Sequence, residues 1–205
     1  MDSRTITGKQ LAGMIDHTFL KAYAVHADLD RLCREAAEHR FAMVAINSSP
    51  VAYCKSILAR TAVHVGAAVS FPLGQTAMET KIFETKKAIE DGADEIDYVL
   101  NIGELKTGNT AYIEEEMRRI TDVCRSRDVL VKVIFENCYL TKNEIRTAAE
   151  IARKVGPDFI KTSTGFGTGG ATAEDVALMK KVAGDTVKVK AAGGIRDWET
   201  CSRMI

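Results

Sequence analysis

Residues 158–166 read DFIKTSTGF, residues 129–137 read VLVKVIFEN and residues 187–194 read VKVKAAGG. Each contains a short apolar, β-branched run with a lysine set inside it. Runs of this length suit strands of a parallel sheet, whose interiors are normally apolar, so the charged residue is the informative one. Lys132, Lys161 and Lys190 stand 29 residues apart, the length of one βα unit. That spacing predicts equivalent heights on three successive strands, with the ammonium groups converging inside a closed or nearly closed sheet.

Outward from these runs the same alternation continues. Strands are expected at 14–19, 41–47, 64–71, 95–102, 130–136, 159–163 and 187–192. Helical three- and four-residue periodicity falls between several of them, at 77–91, 111–125, 143–155 and 172–182. Thr172 with Asp175 has the form of a capping box, and Gly156-Pro157 that of a helix stop. No linker or low-complexity tract divides the chain. The expected fold is α/β, a TIM (β/α)8-type barrel over residues 1–205 as one domain, with seven of eight strands visible.

Lys+Arg and Asp+Glu both number 28, so no net basic field draws the chain to nucleic acid or anionic lipid. The polar start MDSRTITGKQ lacks the apolar core of a signal peptide, and no apolar run approaches a membrane span. Five cysteines (Cys33, Cys54, Cys124, Cys138, Cys201) without a CxxC pair fit packed, reduced thiols in a cytoplasm. The expectation is a cytoplasmic protein with no nucleic-acid or membrane partner.

A fourth charged residue, Asp97 in EIDYVL, also interrupts an apolar run. A free lysine is protonated near neutrality; burial or a neighbouring cation lowers its pKa and leaves a nucleophilic amine. Such an amine condenses with a carbonyl to an iminium ion, an electron sink that allows a nearby base to move an α-proton. Lys161 is the candidate nucleophile, Lys190 its neighbour and Asp97 the proton-handling group. An inward ion-pair network without chemistry is the competing reading for any single lysine.

Two glycine-rich loops follow the lysine strands, TGFGTGGAT and AAGGIRD. Glycine backbone N–H groups can approach an anion closely, so both are candidate phosphate sites, or else tight turns without a ligand. Gly165, Gly167 and Gly170 formally satisfy GxGxxG, but the acidic residue expected about 20 positions on is missing, which argues against a dinucleotide. Asp16-His17-Thr18 is not accompanied by a GxSxG elbow, so no hydrolase triad is expected. Asp16 is either a polar site member or a hydrogen-bonding residue. The four histidines lack ligand spacing, which speaks against a metal. Glu114-Glu115-Glu116 is a charge run near a helix start, where the helix dipole accounts for it.

At IDHTFLK (15–21), GADEIDYVLNIG (92–103), VKVIFEN (131–137), FIKTSTGFGTGGAT (159–172) and VKAAGGIR (189–196) the sequence resembles the deoxyribose-phosphate aldolases. The resemblance spans nearly the whole chain. It implies a class I aldolase needing no metal or organic cofactor, joining acetaldehyde and glyceraldehyde 3-phosphate to 2-deoxyribose 5-phosphate in deoxyribonucleotide catabolism. It further implies Lys161 as Schiff-base lysine, Lys190 as second lysine, Asp97 as proton donor and acceptor, and Asp16 as a relay member. Gly165, Gly193 and Gly194 match positions near the substrate phosphate. Ala45 and Ser48 stand where a cysteine and a proline are common, and Ala22 where a proline is usual.

Members of that family continue past CSRMI into an eighth strand and a Gly-Thr-Ser-Ser type loop. The expectation is therefore a barrel with unpaired edges, self-association into a homo-oligomer and weakened affinity for phosphorylated substrate. Another Schiff-base sugar aldolase, or a barrel without turnover, is the alternative.

Overall fold

The computed structural model describes residues 3–205; the first two residues of the polar N-terminal stretch lie outside them. Helix α1 (Gly8–Ala12) precedes β1 (Asp16–Thr18). Strand and helix then alternate: α2 (His26–His39), β2 (Met43–Asn47), α3 (Val51–Leu58), β3 (His64–Val69), α4 (Met78–Glu90) and β4 (Glu95–Val99). After α5 (Ile102–Lys106) and α6 (Thr110–Arg125) come β5 (Leu130–Ile134), α7 (Lys142–Val155), β6 (Phe159–Lys161), α8 (Ala173–Ala183), β7 (Lys188–Lys190) and α9 (Trp198–Ser202). The strands form one parallel sheet in sequence order, β1 to β7, with β1 and β7 as its edges. This is the curled, helix-covered sheet of a (β/α) barrel, with the expected seven strands.

Period-two alternation divides each strand. Ile96, Tyr98, Val131, Val133 and Ile160 are fully or almost fully buried and belong to the main apolar cluster with the covering helices. On α6, Ile113, Met117, Ile120 and Cys124 recur at three- and four-residue steps and are all buried in that layer. Of the opposite set, Glu95, Asp97, Lys132 and Lys161 are joined by ion pairs, and Lys190, level with Lys161, is paired with Asp16 of β1. The interior of this barrel is therefore polar at its centre and apolar between sheet and helices.

Helix ends follow local chemistry. Thr141 accepts from Glu144 N–H while Glu144 reaches back to the Thr141 N–H, a complete capping box, and Gly156 ends α7 in the left-handed region at φ 79°. Thr172 caps α8 by accepting from Asp175 N–H at 3.1 Å. Here the expected capping box is only half formed, because the Asp175 carboxylate is engaged by Lys142 at 2.6 Å instead.

Three other expectations change. The strands are shorter than their apolar runs: 95–102 divides into β4 and the start of α5, where Asn101 caps the helix by accepting from Glu104 N–H. Lys132 does not share a level with Lys161 and Lys190. Lys161 pairs in register with Lys190 and Ile134, whereas Lys132 lies opposite Asp97 and Phe159, two residues lower, because strand stagger adds to sequence spacing. Finally, Glu116 is not a dipole-placed surface charge. It is wholly buried against Lys81, their contact 2.8 Å, and the pair grips the strand end beyond Asp97: Lys81 donates to the Val99 carbonyl and Glu116 accepts from Asn101 N–H.

Candidate active site

Asp97 lies at the middle of β4 and points into the barrel. Its Oδ2 accepts from Lys161 Nζ at 2.5 Å and its Oδ1 from Lys132 Nζ at 2.9 Å. Lys132 also donates to Glu95, one β4 inward position earlier, and stands 3.8 Å from Asp16 Oδ2. Asp16 Oδ1 in turn holds Lys190 at 2.7 Å, and Lys190 also donates to the Met14 carbonyl at 2.9 Å. Three carboxylates and three lysines thus form one interlocked cluster. Lys190 spans the seam between the two sheet edges, β7 and β1.

The electrostatics follow from this alternation. Burial works to raise the Asp97 carboxyl, but the flanking Lys132 and Lys161 ammonium groups outweigh it and hold the acid below its ordinary range. Burial likewise pulls at the Lys132 ammonium, and Asp97, Asp16 and Glu95 together reverse the direction and keep it firmly protonated. Lys190 goes the other way. Its burial outweighs the single carboxylate of Asp16, and the nearby Lys132 and Lys161 charges add to the effect, so its amine is easier to deprotonate than a free lysine. The cluster therefore combines a permanently cationic lysine, an anionic aspartate and a lysine with lowered proton affinity.

Lys161, Lys190, Asp97 and Asp16 are brought together as their strand positions imply. Glu95 was missed because a glutamate at the start of a strand reads as an exposed end residue; its position two residues before Asp97, on the same face, was the available signal. It connects the interior to solvent, since its other oxygen meets His64 Nδ1 at 2.7 Å on the half-exposed start of β3. Asp16 Oδ2 is buried with no hydrogen-bond partner, an acceptor left open beside the lysines.

Above the lysines, at the C-terminal ends of the strands, the two glycine loops meet. Gly165, Gly193 and Gly194 have φ of 85°, 82° and 79°, the left-handed region that favours glycine. A Cβ at Gly170 would lie 2.2 Å from the Gly193 carbonyl oxygen, so the loops touch backbone to backbone. Among the described residues the N–H groups of Gly165, Gly193 and Gly194 donate to no protein acceptor. Phe166 forms the rim, edge-on to Phe71 at 5.4 Å between centroids, with Lys21 Nζ 5.5 Å from its ring centre. A cavity of about 600 Å³ opens from Lys161 and Lys190 along the β7–β1 seam toward Trp198. Among the described residues no group of His, Cys, Asp and Glu is arranged to hold a metal ion, and no helix is long and apolar enough to cross a membrane.

A parallel barrel with amines and carboxylates interlocked beneath anion-ready loops defines a class, the aldolases of the (β/α)-barrel type. Within it the chain belongs to the DeoC/LacD family of aldolases, which residues 10–205 match. It is 54% identical to a deoxyribose-phosphate aldolase of Lactobacillus acidophilus, over 95% of this chain and 82% of that protein. A Thermococcus gammatolerans protein of the same name is 48% identical over 98% of this chain and 90% of its own length. Among solved structures, the aldolase QR15 superposes with a TM-score of 0.89 at 36% identity, covering 94% of this chain and 86% of that one. A tetrameric deoxyribose phosphate aldolase from Aeropyrum pernix gives 0.89 at 28% identity, covering 97% and 83%.

Proposed function

We propose that this chain, folded as one barrel domain, reversibly cleaves 2-deoxyribose 5-phosphate to acetaldehyde and glyceraldehyde 3-phosphate through a Schiff base on Lys161. The observation that carries the reading is the Lys161 amine, buried in the barrel, hydrogen-bonded to Asp97 and level with Lys190. The names of its near relatives supply the substrate.

In this reading the unprotonated Lys161 amine adds to the C1 aldehyde of the open-chain sugar, and loss of water leaves an iminium ion. A base takes the proton of the C3 hydroxyl, the C2–C3 bond breaks and its electron pair enters the iminium, releasing glyceraldehyde 3-phosphate and leaving an enamine. C2 is then protonated and water returns the amine and acetaldehyde. Asp97, with the lysines around it, handles these protons, and Asp16 orients Lys190. The unpaired N–H groups of Gly165, Gly193 and Gly194 hold the phosphate, using the nest geometry of left-handed glycines.

Incubation with acetaldehyde, borohydride reduction and peptide mass spectrometry tests this directly. A reduced adduct confined to the Lys161 peptide is expected; a folded protein without adduct defeats the reading. We also propose a cytoplasmic homo-oligomer. The five free thiols suit a reducing compartment, and the tetrameric Aeropyrum relative favours association.

A further inference from the structure

Glu136 lies two residues past β5, outside the lysine cluster, and only 1% of it is exposed. Its backbone is left-handed, φ 58° and ψ 62°, a conformation that a side chain bearing a Cβ rarely adopts without a local reason. The carboxylate reaches across to the loop after β6. Oε1 accepts from Thr164 N–H at 3.1 Å and Oε2 accepts from the Thr164 hydroxyl. Thr164 Oγ1 in turn accepts from Phe166 N–H at 3.0 Å, closing the turn over Gly165. Gly167 packs against the same group: a Cβ there would stand 3.1 Å from the Glu136 carboxyl carbon and 2.6 Å from Cys138 Sγ. Among the described residues no lysine, arginine or histidine is within ion-pair reach of Glu136.

A buried carboxylate without a cation, carried on unfavourable backbone, is not needed for packing, since an apolar or amide side chain would fill the space with less desolvation. What the carboxylate alone provides is two acceptors for the two donors of Thr164. With Thr164 and Phe166 thus engaged, the Gly165 N–H remains as a free donor at the mouth.

We propose that Glu136 is a positioning residue: it sets the shape of the Thr164–Gly167 turn and so the preference for a phosphorylated over an unphosphorylated sugar. This deepens the phosphate-binding reading above and rests on it. Glu136→Gln places an N–H group against one Thr164 donor, and Glu136→Gly removes the contact while keeping left-handed backbone accessible, which guards against a fold defect. For each, kcat and KM are measured with 2-deoxyribose 5-phosphate and with unphosphorylated 2-deoxyribose. Loss of a charge-assisted hydrogen bond predicts a fall of about tenfold in the kcat/KM ratio between the two sugars, mostly through KM for the phosphorylated one. Thr164→Val is expected to give a similar shift, and to add little when combined with Glu136→Gln. Equal losses on both sugars would make Glu136 a general structural residue and overturn the proposal, as would a Glu136→Gly variant with wild-type KM. Absence of the Lys161 adduct in the unmodified protein would instead defeat the aldolase reading itself.

Discussion

Asp97 Oδ2 accepts from Lys161 Nζ at 2.5 Å, while the second oxygen of the same carboxylate is held by Lys132. The proton-handling candidate is therefore pinned on both sides, touching the candidate nucleophile before any substrate arrives. Asp97→Asn keeps the shape and removes the charge. The expected result is a loss of about 10² to 10⁴ in kcat, the range for a positioned acid–base group, with the borohydride-trapped Lys161 adduct still formed. Full turnover in the variant would exclude Asp97 from the chemistry.

Asp97 also makes stability depend on acid. Its pKa in the folded chain lies below the ordinary value, so its contribution is complete above the unfolded pKa of about 3.9 and is lost as pH falls through the lower folded value. Urea unfolding midpoints should drop below about pH 4 in the wild type and more gently in Asp97→Asn. Parallel acid limbs for the two proteins would contradict this.

Lys190 holds Asp16 across the open seam at 2.7 Å. Lys190→Met leaves the Asp16 carboxylate, largely out of water, with only the Lys132 ammonium at 3.8 Å and should destabilise the protein by about 3 kcal/mol. Adding Asp16→Asn should recover much of that, seen as a positive coupling in a double-mutant cycle of urea melts. Strict additivity would mean that the bridge contributes nothing.

The Lys81–Glu116 pair behaves differently, because both side chains are wholly enclosed between α4, α6 and β4. Burial lowers the Lys81 pKa and raises that of Glu116, the two directions that oppose ionisation. Glu116→Ala should cost about 3–5 kcal/mol by leaving a buried ammonium unmatched, whereas Lys81→Met with Glu116→Leu should fall within about 1–2 kcal/mol of the parent. Thermal melts of the three proteins decide it.

At Gly165 a Cβ would meet no atom within 4 Å, so Gly165→Ala is opposed by backbone strain alone. A stability loss of about 1–2 kcal/mol is expected, with a rise in KM for the phosphorylated sugar as the turn relaxes. An unchanged KM would remove the Gly165 N–H from the phosphate site.

Most of the architecture was legible from period and punctuation. β-branched runs broken by helical periodicity define seven parallel strands, and single charges inside such runs mark Asp97, Lys132, Lys161 and Lys190 as inward-facing, because a strand's two-residue period assigns faces without further information. Strand ends were less legible. The run 95–102 continues apolar past the point where Asn101 captures the backbone of a new helix, a local competition that composition does not register.

By itself, then, the sequence determined the strand order, the inward set of charges and the glycine loops, since each depends only on spacing along one chain. Tertiary structure alone decided that Lys132 lies two residues below Lys161, that Glu95 completes the cluster, and that Glu116 and Glu136 are buried. Those facts depend on stagger between strands and on which distant carboxylate fills which low-dielectric gap, and ion pairing across 35 residues, as between Lys132 and Asp97, or 64, as between Lys161 and Asp97, leaves no periodic trace in the chain.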